Sequence, residues 1–216
     1  MISFKHILFD LDGTIIDPKK GVVEAVVFAL SKFDIRVKDP EKLTCFIGPP
    51  LTESFRDYYD MNEETAKRAL GYYREHYSHN GLYNHSLYYG MDKLIENLYD
   101  KGKKLYIATS KPEKFARQIL DDLHLTKYFE YISGCDIEEN ICDKPTIISR
   151  VLERIDDSEL DRCIMVGDTK YDVKGAKACD ITSMAVLQGY GDITEIIMAG
   201  VDFFMADAEE LAFVLK

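Results

Sequence analysis

The chain has 216 residues, 46% of them hydrophobic and 30% charged, the balance of an ordinary globular protein. A formal net charge of -11, with no basic block anywhere, excludes a protein built to neutralise nucleic-acid phosphates. No apolar run approaches a membrane span, and the first residues lack a signal peptide's cationic start and unbroken apolar stretch, so a cytoplasmic protein without a membrane partner is expected. The length suits one α/β domain with an insertion, or two small domains. Five cysteines (Cys45, Cys135, Cys142, Cys163 and Cys179) make an odd number with no C-x-x-C pair. That pattern predicts free thiols in a reducing compartment and no zinc site.

The first element is the apolar run Ile7-Leu8-Phe9, which stops at Asp10-Leu11-Asp12-Gly13-Thr14. Such a run reads as a buried strand of a parallel sheet, and ligands gather at the carboxyl ends of such strands. Asp10 and Asp12 are two apart, and Gly13 allows a turn that lets both carboxylates converge. Two anions so close resist joint ionisation unless a cation lies between them or one keeps its proton. They suggest a divalent metal and a nucleophile–acid pair; a strand followed by a solvated Asp-Gly turn fits these residues equally well.

From Pro18 to about residue 85 the periods are helical and no strand is evident. Asp17-Pro18 reads as an N-cap and first helical position, followed by the face Val22, Val23, Val26, Val27 and Leu30. Asp39-Pro40 opens a short segment with Leu43 and Phe46, Gly48-Pro49-Pro50 breaks it, and Leu51 to Tyr59 resumes a helix. Asn62 is placed to cap a longer helix bearing Ala66, Ala69, Leu70, Tyr73 and Tyr77, with Gly81 past its end.

Strand–helix alternation follows from Gly90. The predicted strands are Lys104 to Thr109, Tyr131 to Ser133, Cys163 to Val166, Ser183 to Leu187 and Phe203 to Met205. Between them fall helices marked by Leu94/Ile95/Leu98, Pro112/Phe115/Ile119, Pro145/Ile147/Ile148, Asp172 to Ala178 and Ile193 onward, with a last helix after the final strand. Repeated units of this kind imply a doubly wound parallel sheet with helices on both faces. The expected organisation is an α/β core of residues 1–17 and 86–216, interrupted by a helical domain of residues 18–85.

Three further strand ends carry polar groups. Thr109-Ser110-Lys111-Pro112 leaves hydroxyls before a proline-led helix, where a phosphate would suit the free N–H groups; either hydroxyl could equally be a plain cap. Asp143-Lys144-Pro145 puts a cation at another helix start, a position where a lone lysine is usually solvated. Gly167-Asp168-Thr169-Lys170-Tyr171-Asp172 adds two acids across a helix start, which with Asp10 and Asp12 would complete an oxygen-rich magnesium site.

In order and context these motifs resemble the haloacid dehalogenase superfamily of phosphohydrolases over essentially the whole chain. Asp10-Leu11-Asp12-Gly13-Thr14 matches the family's D-x-D-G-T, Thr109 its second-motif hydroxyl, Lys144 its third-motif lysine, and Gly167-Asp168 with Asp172 its G-D-x-x-x-D. The helical block is similar to the family's small cap. The resemblance implies that the strands ending at Asp10 and Asp168 are neighbours, with Thr109's strand on Asp10's other flank. It also implies Mg2+ held by the Asp10 and Asp168 side chains and the Asp12 backbone carbonyl, with Asp10 as nucleophile and Asp12 as general acid and base. Thr109 and Lys144 would then hold the phosphoryl oxygens, with Ser110 beside them, and Thr14 and Asp172 would support the site.

Phe46-Ile47-Gly48-Pro49-Pro50-Leu51-Thr52-Glu53-Ser54-Phe55 resembles the cap segment of the branch holding 5'-nucleotidases and phosphoglycolate phosphatase-like enzymes, and Gly189-Tyr190-Gly191 is similar to the nucleotidase side. The expected function is therefore a phosphomonoester hydrolase for 5'-nucleoside monophosphates or small phosphorylated metabolites. The alternatives are a phosphoglycolate phosphatase, with Arg56 reading the carboxylate, or a phosphotransferase of the sugar-phosphate mutase type. A monomer or weak homodimer is expected, with a small-molecule substrate as its partner. Pro18 departs from the serine many relatives carry there, and the 14 tyrosines read as packing and surface groups before a base-stacking platform.

Overall fold

The computed structural model describes residues 4–137 and 142–215, and the chain divides into two units, Met1–Asp17 with Leu87–Lys216, and Pro18–Ser86. The apolar run at the start forms β1 (His6–Phe9), buried along its whole length. A short β2 (Ile16–Asp17) follows the acidic turn.

The helical unit begins with α1 (Lys19–Ser31), which buries Val22, Val26, Ala29 and Leu30 on one face. Its N-cap is Pro18, with no side-chain cap, and the expected Asp17 cap does not form. Asp17 is the last residue of β2, and its carboxylate accepts the Tyr190 hydroxyl. Asp39 does cap the 3-10 segment Pro40–Phe46, accepting from the Glu41 amide. Then come α2 (Leu51–Tyr59) and α3 (Glu63–His76). The Asn62 side chain caps α3 at 2.9 Å from the Thr65 amide, with Glu63 and Glu64 in the first turn and Arg74 and His76 in the last. That charge order suits the helix dipole. Tyr73 and Tyr77 stack and are buried here, as packing groups. A π-helical turn, Tyr77–Gly81, ends the helix.

A second short strand, β3 (Ser86–Leu87), pairs with β2. Alternation then runs α4 (Met91–Asp100), β4 (Lys104–Pro112), α5 (Glu113–Asp122), β5 (Phe129–Cys135) and α6 (Lys144–Leu152). It continues through β6 (Cys163–Gly167), α7 (Lys170–Ala178), β7 (Thr182–Val186), α8 (Ile193–Ala199), β8 (Phe203–Met205) and α9 (Ala208–Val214). Among the described residues the large sheet has six strands, all paired in parallel, in the order β5-β4-β1-β6-β7-β8. β1 is therefore flanked by β4 and β6, the expected arrangement, and its residues are apolar in succession because both sheet faces are covered.

On one face Leu8, Tyr106 and Met165 pack with Ile147, Ile148 and Val151 of α6 and Ala176 of α7. Each of the leucine, isoleucine, valine and methionine side chains among them contributes about 1.5–3 kcal/mol on burial. This packing fixes the two helices whose first turns carry Lys144 and Asp172. The thiol expectation holds for Cys45, Cys163 and Cys179, which are free. It fails for Cys135 and Cys142, which form a disulfide with their Cα atoms 4.6 Å apart, because the end of β5 and the approach to α6 bring them together. Among the described residues no helix is long and apolar enough to cross a membrane.

Candidate active site

The carboxyl ends of β1, β4 and β6, with the first turns of α6 and α7, assemble a buried cluster of charge. Asp10 follows β1, and its amide donates to the Val166 carbonyl at 2.8 Å. Asp10, Asp168 and Asp172 are all buried, and each offers an oxygen within 4.8 Å of the others. Lys144 stands among them, its Nζ 3.0 Å from Asp10 Oδ1, 2.7 Å from Asp172 Oδ1 and 3.0 Å from the Ala108 carbonyl. The solvated lysine of the sequence reading is in fact only 5% exposed. Asp143, which precedes it, caps α6 through the Thr146 amide.

One ammonium faces three carboxylates, and the electrostatics reflect that excess. Burial pushes the Asp10 carboxyl up to about 6, and Asp172 adds to the rise against the opposing pull of Lys144 and Thr109. Burial, then Asp172 and Asp10, hold Asp168 well above the ordinary carboxylate range. For Lys144, burial disfavours the charge, but the two acids outweigh it and raise its pKa. An anionic, oxygen-only set this tight fits a hard divalent cation.

The supporting shell is made locally. Asp172 closes a capping box on α7, its Oδ2 accepting from the Thr169 amide at 3.0 Å and hydroxyl at 2.8 Å, which leaves Oδ1 to Lys144. Asp168 accepts from the Tyr190 amide at 2.8 Å and, through Oδ1, from the Thr14 hydroxyl at 3.4 Å. Gly13 takes φ +83°, the turn the sequence called for. Thr109 is buried and hydrogen-bonds to Asp10, and its Oγ1 accepts the Lys111 amide at 3.2 Å.

Asp12 is set apart from the triad. Its Oδ2 pairs with Lys111 Nζ at 2.5 Å, while Oδ1 is buried with no hydrogen-bond partner among the described residues. The hydroxyls of Thr109 and Ser110 do not cap α5: β4 runs on through Pro112, which is itself the N-cap, so the proline marks a strand end and not the first helical residue. Ser110 is half-buried in this stretch. Arg56, on α2 of the helical unit, is exposed.

Two features escaped the sequence reading. Lys111 lies between two hydroxyls and a proline, the one sign the sequence gives of it, and its pairing with Asp12 is set by the fold. Gly189-Tyr190-Gly191, read as a branch marker, is the wall behind Asp168: a Cβ on Gly189 would stand 2.2 Å from Asp168 Oδ2. Tyr190 also bonds Asp17 and Tyr88, and burial foremost, with Asp17 adding to it, raises both phenols above their ordinary range.

Comparison with known proteins bears on what this geometry serves. A model of the family described as haloacid dehalogenase-like hydrolase matches residues 7–186. The chain belongs to that family. A 5'-nucleotidase of Pseudomonas aeruginosa is 35% identical over 218 residues, spanning 100% of this chain and 97% of that protein. Tyrosine-protein kinase PtkA of Mycobacterium tuberculosis is 34% identical over 185 residues, 86% of this chain and 62% of that protein. A phosphoglycolate phosphatase of Aquifex aeolicus is 30% identical over 184 residues, 85% of each chain. The crystal structure of a predicted phosphatase from Clostridium acetobutylicum superposes with a TM-score of 0.93 at 37% identity, covering 98% of this chain and 97% of that one. The chain is an enzyme of this hydrolase family, a phosphatase.

Proposed function

We propose that the enzyme is a Mg2+-dependent phosphomonoester hydrolase acting through an aspartyl-phosphate on Asp10. The observation that carries this reading is the excess charge of the Asp10–Asp168–Asp172 cluster beside a fourth acid, Asp12, held apart from it. Asp10 attacks phosphorus in line, its oxygen bonding to phosphorus as the ester oxygen leaves. Asp12 gives the departing alkoxide its proton and then takes one from the water that releases phosphate. Thr109, Ser110 and Lys144 hold the phosphoryl oxygens, Asp172 orients Lys144, and Thr14 holds Asp168. Mg2+ would be held by the Asp10 and Asp168 side chains and the Asp12 backbone carbonyl, where it would offset repulsion between carboxylate and phosphate. The helical unit is read as a cap that supplies specificity.

For substrate we favour 5'-nucleoside monophosphates or small phosphorylated metabolites. The 5'-nucleotidase relative supports this, as do the proline-stiffened apolar stretch Phe46 to Leu51 and the exposure of Arg56. The Aquifex relative favours phosphoglycolate as a second reading, and PtkA favours transfer to an acceptor other than water. The proposal extends to a cytoplasmic monomer or weak homodimer without nucleic-acid or membrane partners.

The test is phosphate release from p-nitrophenyl phosphate, nucleoside monophosphates, sugar phosphates and phosphoglycolate, in EDTA-treated enzyme with and without restored Mg2+. Release should require the metal and vanish, with any trapped phosphoenzyme, in Asp10→Asn. Turnover that survives exhaustive chelation would sink the mechanism. A ten-fold preference for phosphoglycolate that is lost in Arg56→Ala would move the substrate to the second reading, and labelled acceptor without free phosphate would establish a transferase.

A further inference from the structure

Among the described residues two lysines are buried, Lys144 and Lys111, and the family motifs give a role only to the first. β4 and β5 run in register from Tyr106 opposite Tyr131 to Thr109 opposite Gly134, and the next partners are Pro112 and Cys135. Ser110 and Lys111 are thus extra residues on β4, a bulge of the kind that re-aims side chains beside active sites. Gly134 makes room for it, since a Cβ there would stand 2.7 Å from the Lys111 carbonyl and from the Glu113 amide. The Lys111 amide is tied to Thr109 Oγ1 at 3.2 Å, so backbone and side chain are both anchored. The ammonium, on a residue 8% exposed, then reaches Asp12 Oδ2 at 2.5 Å and leaves Oδ1 buried without a hydrogen-bond partner among the described residues.

We infer that Lys111 is a positioning residue: the β4 bulge aims its ammonium at Asp12 Oδ2, and this holds the carboxyl in the one orientation that presents Oδ1 to the leaving-group oxygen. Lys111 touches neither phosphorus nor the ester oxygen; it acts through Asp12. The inference rests on the reading of Asp12 as the general acid and base. A carboxyl free to rotate about its Cβ–Cγ bond would meet the departing oxygen in only a fraction of encounters, and misplacements of about 1 Å in such groups cost on the order of 100-fold.

The experiment is a double-mutant cycle of Lys111→Met and Asp12→Asn, with Lys111→Gln as a second replacement and Lys111→Arg as the conservative one. Each enzyme is measured with Mg2+ on an alkyl phosphate and on p-nitrophenyl phosphate. Lys111→Met and Lys111→Gln should lose about 10- to 100-fold in kcat on the alkyl ester. KM should stay within about three-fold and the p-nitrophenolate burst should be preserved, because that leaving group needs little protonation. Lys111→Arg should recover much of the loss, and the double variant should be no worse than Asp12→Asn alone. Additive losses in the double variant, or a loss that falls on KM, would overturn the inference while the acid role of Asp12 stands. Unimpaired alkyl-ester turnover by Asp12→Asn overturns the acid role, and the inference with it.

Discussion

Lys144→Met keeps the length of the side chain and removes only its ammonium, so it isolates the charge balance of the cluster. In the native chain Nζ serves Asp10, Asp172 and the Ala108 carbonyl within 3.0 Å, inside a site from which water is almost excluded. Without it two carboxylates stay buried beside Asp168 with no cation, and breaking such a pair costs about 3–5 kcal/mol. Part of that loss depends on pH. Wild-type Asp10 already sits at about 6, so keeping it protonated in the variant at pH 7.5 accounts for about 2 kcal/mol of the deficit, at about 1.4 kcal/mol per unit.

Lys144 now restrains Asp10 to about 6; its removal lets burial and Asp172 carry the carboxyl higher. An acid raised on folding keeps a proton that the unfolded chain has released, so stability falls as pH rises through that window. Above pH 6 the variant holds a proton that wild type has lost, and its deficit grows by about 2 kcal/mol between pH 6 and 7.5. Urea unfolding of EDTA-treated protein, followed by circular dichroism at both values, measures it. A deficit under about 1 kcal/mol at pH 7.5, or one equal at both values, would refute the reasoning.

Gly189→Ala should push the Asp168 carboxylate out of place, since the new methyl would meet Oδ2 at 2.2 Å; Mg2+ affinity by calorimetry should fall by about ten-fold or more, and unchanged affinity would show that Asp168 does not hold the metal. His6, buried between Tyr106 and Glu159, has its pKa lowered below 6.5, by burial foremost. The folded chain therefore binds fewer protons there than the unfolded one, so this contribution is complete above pH 6.5 and lost as pH falls through the depressed value. His6→Gln should flatten the stability profile on that acid side, and an unchanged slope would count against it. Thiol titration of the denatured, unreduced protein should find three groups, Cys45, Cys163 and Cys179, and five after reduction; five before reduction would disprove the Cys135–Cys142 bond.

What the sequence disclosed of the fold followed from burial. β1 and β6 are covered on both faces, so their apolar runs are continuous and easily seen. β2 and β3 escaped because two residues carry no period. The start of α1 was misplaced by one residue because Asp17-Pro18 satisfies the local rule for a cap, while the Tyr190 hydroxyl, far along the chain, claims the carboxylate that would have capped. Pro112 misled for a similar reason: proline is as acceptable at a strand's bulged end as at a helix's first turn, and the register with β5 decides between them.

The site divides along the same line. Asp10, Asp12 and Gly13 were legible because their chemistry is local: a strand end, two acids and a turn. Lys144 read alone as a solvated surface lysine because the group that buries it, Asp10, lies 134 residues earlier. Lys111 and Asp12 are 99 apart, and Thr14 and Asp168 are 154 apart. No spacing rule reaches so far, yet a parallel sheet ordered β4-β1-β6 carries every one of these strand ends to the same edge. The strand order therefore carries more than any single residue, because topology turns four ambiguous strand ends into one cluster. What topology does not carry is aim. Whether Asp12 faces the triad or turns from it depends on a two-residue bulge in β4 and on the glycine opposite, features with no period in the sequence. Residues that hold catalytic groups in orientation are for this reason the last to be visible in a sequence, and Lys111 is the example here.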